Sequence, residues 1–393
     1  MRSRIPYSCQ TIDEDDIAAV AECLRSDFLT QGPRTRAFEE AGAVYVGSKH
    51  AVAVANGTAA LHLVCMALGL ESGGLIWTSP NSFVASANAG RYLGADVDFV
   101  DIDPETGSID PDALETKLNA ASAAGRKPDI LIAVHFAGHT HGFDRVAAIC
   151  AEYGVALVED AAHAFGAVYQ DRPDQMVGSH PQSVAATFSF HPLKSITTGE
   201  GGMIMTGSED LAKKLGILRS HGVSKDPALV TDARPDDGDW YYEQHQLGFN
   251  YRISDIQAAL GLSQMRKIDT LMEARRDRAR RYGELLSHLP LHLPQATDRS
   301  SWHLYVVRLD RSLTNVTRKA MFDALRGRGI EAHVHYIPIH TQPYYRALGF
   351  APGDFPRAEA YYETCLSLPI YPLLTDEEQD FVVAAIADAL GHA

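Results

Sequence analysis

Two residues in the middle of the chain, Asp160 and Lys194, have the types and the setting that covalent cofactor chemistry needs. Asp160 ends the apolar run VALVED, and Lys194 follows the run SVAATFSF in a stretch of small and flexible residues, HPLKSITTGEGG. A lysine amine can bind an aldehyde cofactor as an imine, and a buried carboxylate can keep a pyridine nitrogen protonated. A lysine alone would be taken as an exposed loop residue, but a buried aspartate followed along the chain by this lysine predicts a pyridoxal 5′-phosphate site.

A phosphorylated cofactor also needs an anion site, and the turn NGTAA at residues 56–60 is a candidate. It follows the apolar run HAVAVA and opens a helical pattern, so backbone N–H groups and the hydroxyl of Thr58 are available to an anion. Such turns are common in α/β proteins. The prediction therefore depends on finding the turn together with Asp160 and Lys194.

The elements that must position these residues are short apolar runs alternating with helix-length amphipathic runs. We expect strands in HAVAVA from His50, GLIWTS from Gly74, ADVDFVDI from Ala95, DILIAVHF from Asp129, VALVED from Val155, SVAATFSF from Ser183 and GGMIMT from Gly201. Near-continuous apolar strands that alternate with helices predict an α/β fold with a largely parallel sheet between helices. Ligands of such sheets bind at the carboxyl ends of the strands, where Asp160 lies.

Helices are predicted between several strands, with the clearest patterns at residues 110–121 and 143–153. Thr11 and Glu14 have the spacing of a capping box before the run IAAVAECL. A long helix is expected from near Ser254 through RRDRARRYGELL, with the Arg275–Arg281 run as a solvated face.

The pattern changes to α+β beyond Pro294, where EAHVHYI is an expected strand. We therefore predict two domains. The first is a large cofactor-binding α/β domain at residues 1–255, and the second is a linker helix with a small α+β domain at residues 256–393.

Charge and cysteine content narrow the functional classes. The 393 residues carry 50 acidic and 35 basic side chains, a formal net charge of −15, which argues against nucleic-acid binding. The five cysteines are scattered without C-x-x-C spacing, which predicts a reduced, cytoplasmic protein. Residues 51–70 hold no charged side chain, but the turn at Asn56-Gly57-Thr58 interrupts them, so we predict no membrane segment.

With these motifs in view, the sequence resembles the nucleotide-sugar aminotransferases of the DegT or StrS family over nearly its whole length. The resemblance is carried by NGTAALHL, EDAAHAFGA, FSFHPLKSITTGEGGM, LRSHG and GFNYRISDIQAALGLSQ. It implies a fold type I, aspartate-aminotransferase-like pyridoxal-phosphate transferase. The family's dehydrase branch lacks the lysine, so the presence of Lys194 favours transamination.

The resemblance also implies roles for individual residues. It makes Lys194 the lysine that binds the cofactor covalently and the catalytic residue, and Asp160 the partner of the pyridine nitrogen. The other implied cofactor contacts are His163 beside the phenolic oxygen, Phe83 stacked on the ring, Thr58, Ala59 and Ser189 at the phosphate, and Asn250 reaching the phosphate from a neighbouring subunit. A shared site of that kind implies a homodimer.

Further motifs, among them IPYSCQTIDEDDIAAV, LTQGP, WHLYVVRLD and VHYIPIHTQPYYR, resemble the branch of the family that acts in pseudaminic acid biosynthesis. That branch uses L-glutamate and a UDP-linked 4-keto-6-deoxy sugar, and forms UDP-4-amino-4,6-dideoxy-N-acetyl-β-L-altrosamine and 2-oxoglutarate. His335 and Tyr336 are the implied sugar contacts. Arg219 is a candidate for an anionic substrate group, and a structural ion pair is an equal alternative for it.

The sequence leaves three alternatives open. The first is an aminotransferase for another UDP- or dTDP-linked keto sugar, at C3 or C4. The second is a metal-dependent hydrolase built on the histidines of HFAGHTHG or VHYIPIH, although no carboxylate lies among them and we predict no metal. The third is a regulator that senses a ligand, which would need a DNA-binding module for which the motifs, starting at residue 5, leave no room.

Overall fold

The computed structural model describes residues 4–234 and 236–391. The helices are α1 (Glu14–Leu24), α2 (Pro33–Val46), α3 (Gly57–Ala67), α4 (Ala85–Arg91), α5 (Pro111–Ala123), α6 (Phe143–Tyr153), α7 (Glu209–Leu218), α8 (Asp255–Met265), α9 (Ile268–Leu286), α10 (Arg318–Gly327), α11 (Pro343–Arg346), α12 (Pro356–Thr364) and α13 (Asp376–Leu390). The strands are β1 (His50–Val54), β2 (Leu75–Thr78), β3 (Asp96–Phe99), β4 (Ile130–Val134), β5 (Ala156–Asp160), β6 (Val168–Tyr169), β7 (Arg172–Met176), β8 (Ala185–Ser189), β9 (Gly202–Thr206), β10 (Val223–Ser224), β11 (Glu243–Gln244), β12 (Leu291–His292), β13 (Tyr305–Leu309) and β14 (Cys365–Leu368). Within these ranges no helix is both long and apolar enough to cross a membrane.

The central sheet has seven strands in the order β1-β9-β8-β5-β4-β2-β3. β9 runs antiparallel to both of its neighbours, and every other pair is parallel. These are the seven strands predicted from the apolar runs, so both the strands and the largely parallel sheet are confirmed. The register pairs Val134 with Asp160 and Asp160 with Thr187, which brings the carboxyl ends of β4, β5 and β8 to one edge.

Helices cover the sheet on both faces, because alternate residues of the buried strands point to opposite sides. On β5, Leu157 packs into one apolar cluster with residues of α2, α5, α6 and α8, whereas Val158 packs into a second cluster with residues of α3, α4 and α7. The result is a three-layer α/β/α arrangement that fixes the strand ends and the first turn of α3 relative to one another.

The chain beyond α9 forms a separate three-stranded antiparallel sheet, β12-β13-β14. A third apolar cluster, which includes Tyr305 of this sheet, Leu325 of α10 and Ile386 of α13, also contains Ile5 from the other end of the chain. The boundary between residues 255 and 256 stays a prediction.

The start of the first helix differs from expectation. Its N-cap is Asp13, whose side chain accepts a hydrogen bond from the backbone of Asp16, and the Asp16 side chain accepts one from the backbone of Asp13. The predicted capping pair, Thr11 and Glu14, was therefore wrong by two residues. Asp13 and Asp16 also form ion pairs with Lys267 at 2.5 and 2.6 Å, which favours this start.

The long helix expected from Ser254 is divided into α8 and α9 at Arg266 and Lys267. The prediction that the Arg275–Arg281 run is solvated is also wrong at its first residue, since Arg275 is 1% exposed. Helical spacing places Arg275 between the buried residues Leu271 and Ala279, on the inward face of α9.

The segment EAHVHYI was predicted as a strand and forms only a single bridge, between His333 and Ser367. The physical reason is its place in the fold. Residues 333–337 form part of a cavity wall and so do not continue a sheet.

Candidate active site

A cavity of about 880 Å³ lies at the carboxyl ends of β5 and β8, next to the first turn of α3. Its volume is in the range of small-molecule sites. Of the residues predicted from sequence, those that line it are Thr58, Ala59, Phe83, Asp160, His163, Ser189, Lys194, His335 and Tyr336. Residues far apart in the chain thus meet at one sheet edge, as the strand order requires.

Asp160, the last residue of β5, is 6% exposed and is held by two donors. Its Oδ2 accepts a hydrogen bond of 2.6 Å from the Ser86 hydroxyl, and its Oδ1 accepts one of 3.2 Å from the Ala162 N–H. Each oxygen is fixed by one bond, so the carboxylate has a defined orientation toward the cavity that it lines.

Lys194 lies in a tight turn after β8, where its N–H donates to the carbonyl of His191 at 2.9 Å. Burial lowers the pKa of the Lys194 amine to about 8, Asp160 opposes this change, and the charge of Arg275 adds to it. An amine with that pKa is partly unprotonated near neutral pH, which is the form that attacks a carbonyl carbon or accepts a proton.

The amine of Lys194 also contacts His303, with Nζ 3.3 Å from Nε2. Burial, followed by the neighbouring charges of Lys194 and His163, holds the pKa of His303 well below its ordinary value, so its ring is neutral. His303 was not predicted as a site residue. It lies in WHLYVVRLD, where its spacing gives no sign that it meets Lys194.

The first turn of α3 forms the anion-binding side of the cavity. Asn56 caps the helix by accepting a 2.8 Å hydrogen bond from the Ala59 N–H, and the earlier N–H groups have no partner within the helix. Gly57 keeps this turn close to β8: a methyl group there would lie 3.0 Å from Cβ and 3.4 Å from Oγ of Ser189. The glycine and the serine together therefore form a small cradle next to the helix N-terminus.

His163 and Tyr336 form a neutral hydrogen-bonded pair on the wall of the cavity. The Ala137 N–H donates to Nδ1 of His163 at 3.3 Å, so the ring proton is on Nε2, which lies 3.1 Å from the Tyr336 hydroxyl oxygen. Burial holds the pKa of His163 well below, and that of Tyr336 well above, its ordinary value. With the imidazole donating, the Tyr336 hydroxyl keeps its own proton for a ligand.

Aromatic side chains form the rest of the wall. Phe83 is 59% exposed and its ring centroid lies 6.4 Å from that of Tyr336, so a broad apolar face is open to the cavity. At the rim, the rings of His333 and His335 stack at 4.6 Å, and Tyr7 contacts both. Tyr7 was missed from the sequence, because nothing local indicates that the N-terminal segment reaches this cavity.

Two predicted residues lie outside this cavity. Arg219 forms an ion pair with Glu39 and donates to the Ala53 carbonyl at 2.6 Å, so the structural alternative describes it better than a substrate contact. Asn250 is exposed and pairs in a single bridge with Ser220.

One histidine of each motif is held by a carboxylate. Nε2 of His135 lies 2.6 Å from the buried carboxylate of Glu159, and Nε2 of His340 lies 2.9 Å from Glu359. The carboxylates absent from the local sequence are thus supplied by other elements. Across residues 4–234 and 236–391, no three histidine, cysteine or acidic side chains are grouped to hold a metal ion.

Comparison with known proteins extends these observations. Residues 10–387 match the profile of the DegT/DnrJ/EryC1/StrS aminotransferase family. The spore coat polysaccharide biosynthesis protein SpsC of Bacillus subtilis is 39% identical, over 99% of this chain and 98% of that protein.

Among solved structures, Helicobacter pylori PseC, an aminotransferase involved in the biosynthesis of pseudoaminic acid, is 32% identical with a TM-score of 0.88, over 99% of this chain and 100% of that one. The putative sugar aminotransferase Spr1654 of Streptococcus pneumoniae, solved in its PMP form, is 28% identical with a TM-score of 0.89, over 99% and 98%. These likenesses confirm the predicted fold class.

Proposed function

The chain belongs to the DegT/DnrJ/EryC1/StrS aminotransferase family, and from that membership we propose the reaction it performs. It is a pyridoxal-phosphate-dependent sugar aminotransferase. We propose that it transfers the amino group of L-glutamate to a UDP-linked 4-keto-6-deoxy sugar, with UDP-4-amino-4,6-dideoxy-N-acetyl-β-L-altrosamine and 2-oxoglutarate as products. The likeness to PseC over the whole chain supports this substrate.

The single observation that carries the assignment of the site is the meeting of Lys194, Asp160 and the first turn of α3 around one cavity. The cofactor has an aldehyde, a ring nitrogen and a phosphate, and the cavity offers an amine, a carboxylate and a helix N-terminus. The cradle at Gly57, which an added methyl group would fill, matches the need of a phosphate for close approach to backbone N–H groups.

In this proposal Lys194 binds the cofactor, and its Nζ moves protons once it is released. When bound, pyridoxal phosphate supplies an aldehyde that condenses with primary amines and a ring that accepts the electron pair left by a departing proton. The lowered pKa of Lys194 suits Nζ to take the proton from Cα of glutamate and to deliver a proton to the sugar carbon.

Asp160 and the aromatic wall orient the cofactor. The carboxylate, fixed by Ser86, would accept a hydrogen bond from a protonated ring nitrogen. Phe83 offers its exposed face to the ring, and His163 lies on the wall close to Tyr336. Thr58, Ala59 and Ser189 would hold the phosphate.

We propose that the working enzyme is a homodimer. Among the described residues that line the cavity, Lys194 is the sole lysine or arginine, although glutamate and a nucleotide sugar are both anionic. Asn250 is exposed on its own protomer and next to Tyr251, which lines the cavity. A second subunit that contributes Asn250 and basic groups would complete the site.

On the wall of the cavity, His335 and Tyr336 are the proposed sugar contacts, with Tyr7 beside them. A different UDP- or dTDP-linked keto sugar, aminated at C3 or C4, is the second candidate, because the chain is also 39% identical to SpsC, a protein of spore coat polysaccharide biosynthesis.

We place the enzyme in the cytoplasm. All five cysteines are unpaired, and four of them are buried. Burial raises the pKa of Cys65, Cys150 and Cys365 to about 12, so these thiols are unreactive. A reducing compartment suits such a chain.

The test is to incubate the purified protein with L-glutamate and a panel of UDP- and dTDP-linked 3-keto and 4-keto sugars, and to identify aminated products by mass spectrometry and NMR. The proposal predicts product from the UDP-4-keto sugar that leads to altrosamine. The matched control is Lys194→Ala, which is expected to give none. Product from a dTDP-3-keto sugar alone would contradict the substrate while leaving the reaction class intact.

A further inference from the structure

The guanidinium of Arg275 lies buried behind the cavity wall that carries Lys194. It is 1% exposed, and it forms no ion pair with a carboxylate in the part of the chain that the structure describes. Its hydrogen bonds go to three backbone carbonyls, those of Leu193 at 3.5 Å, Trp302 at 3.4 Å and Ile370 at 3.2 Å. Burial without a counter-ion is costly, and it lowers the pKa of Arg275 to about 10.

Two of these carbonyls belong to the residues directly before the two partners in the cavity. Leu193 precedes Lys194 and Trp302 precedes His303, whose side chains are 3.3 Å apart. One planar guanidinium therefore holds both backbones that carry this contact. Trp302 has φ of 47°, a left-handed conformation that is uncommon for a non-glycine residue, and its carbonyl accepts one of these hydrogen bonds.

Of the titratable side chains around the Lys194 amine, some are charged and others are neutral. The titratable or charged side chains that act on it or respond to it are Asp160, His163, His191, Arg275, His303 and His335. The buried histidines are neutral, because burial lowers the pKa of His335 to about 3 and keeps the pKa values of His163 and His303 well below the ordinary one. Asp160 and Arg275 are thus the two opposed charges that act on the amine.

We propose that Arg275 is a positioning residue for the amine of Lys194. It fixes the Lys194 and His303 backbones so that Nζ faces Nε2, and its buried positive charge favours the unprotonated amine. The inference rests on the proposed function only in taking Lys194 as the residue that binds the cofactor.

The test measures the Lys194 amine in the cofactor-free protein. The amine is labelled with an isotopically marked acylating reagent at a series of pH values, and the labelling is followed by peptide mass spectrometry. The labelling rate plotted against pH gives the midpoint of the titration of the amine. We expect about 8 for the unchanged protein and a higher midpoint for Arg275→Met, because a nearby like charge is removed. Arg280→Met is the matched control. Arg280 lies on the same helix, but it is 52% exposed and paired with Asp277, so the midpoint should not move.

Arg275→Lys separates charge from positioning. The charge stays, so the midpoint should remain near that of the unchanged protein. A single ammonium cannot reproduce the planar fork, so covalent attachment of pyridoxal phosphate, followed by absorbance, should be about tenfold slower or more.

A folded Arg275→Met variant, as judged by circular dichroism, with an unchanged midpoint would overturn the proposal. If that variant does not fold, Arg275→Lys decides: an attachment rate equal to that of the unchanged protein, or a midpoint near that of a free lysine, overturns it. Both readouts are independent of the sugar substrate, so a wrong substrate assignment cannot be mistaken for failure of this proposal.

Discussion

Substitution of Gly57 by alanine tests the phosphate cradle most specifically. The added methyl carbon would lie 3.0 Å from Cβ and 3.4 Å from Oγ of Ser189, tighter than ordinary van der Waals contact. The backbone at Gly57 is helical and lies outside the left-handed region, so alanine is not strained by conformation. The variant should therefore fold, and the cost should fall on the space between α3 and β8.

Overpacking of this kind costs about 1–3 kcal/mol. If that cost opposes phosphate binding, the dissociation constant for pyridoxal phosphate rises about five- to 150-fold. The assay is a fluorescence titration of the cofactor in a Lys194→Ala background, where binding is reversible and no covalent bond masks the change.

Two controls make the result specific. Pyridoxal, which lacks the phosphate, should bind equally with and without the Gly57 substitution. Gly216→Ala, in α7, adds a methyl group with nothing within 4 Å, so it should leave cofactor affinity unchanged. If the Lys194→Ala protein binds pyridoxal phosphate with the same affinity with and without Gly57→Ala, the proposal of a phosphate cradle is refuted.

Three further predictions concern charge and hydrogen bonding. Asp160→Asn should lower kcat roughly 10²–10³-fold, because it removes the charge that we propose for the ring nitrogen of the cofactor. Ser86→Ala removes one hydrogen bond to that carboxylate and should lower kcat about tenfold. Steady-state kinetics at saturating substrate measure both. The Lys194 amine is protonated as pH falls through its pKa of about 8, so cofactor attachment should slow about tenfold per pH unit below 8 and become constant above it. Stopped-flow absorbance measures this rate. A rate that is independent of pH from 6 to 8 would contradict the prediction. Arg219→Met leaves the largely buried Glu39 with the Ala53 N–H as a donor but without its ion-pair partner, so urea unfolding should show a loss of about 1–3 kcal/mol with unchanged cofactor affinity.

The sheet and the main site residues are predictable because their signals are local. Strand β4 is a continuous apolar run, and β5 is an apolar run that ends in Glu159 and Asp160. Each strand begins and ends within a few residues of the predicted bounds. Asp160 is the last residue of such a run, and the strand order then brings it to the same edge as the turn after β8. Residues at the ends of strands can therefore be placed at the site once the strands themselves are predicted.

The residues behind the site are not predictable in that way. His303 contacts Lys194 across 109 positions of the chain, and its environment depends on how β13 packs on the large sheet. Arg219 could not be assigned from LRSHG, because its partner Glu39 comes from α2.

The burial of Arg275, in contrast, could have been predicted from the spacing of the residues around it. Arg275 shares a helix face with Leu271, Ala279 and Tyr282, all of which are buried, but the density of arginines around it favoured a solvated surface. Spacing was the better guide than charge at this position.

Reductive trapping tests the central claim most directly. Treatment of the cofactor-loaded enzyme with borohydride fixes pyridoxal phosphate to the amine that holds it, and peptide mass spectrometry locates that amine. We predict the adduct on the peptide that contains Lys194, with its loss after prior incubation with L-glutamate. An adduct on another lysine, or one that glutamate does not remove, would contradict the assignment of this cavity as the transamination site.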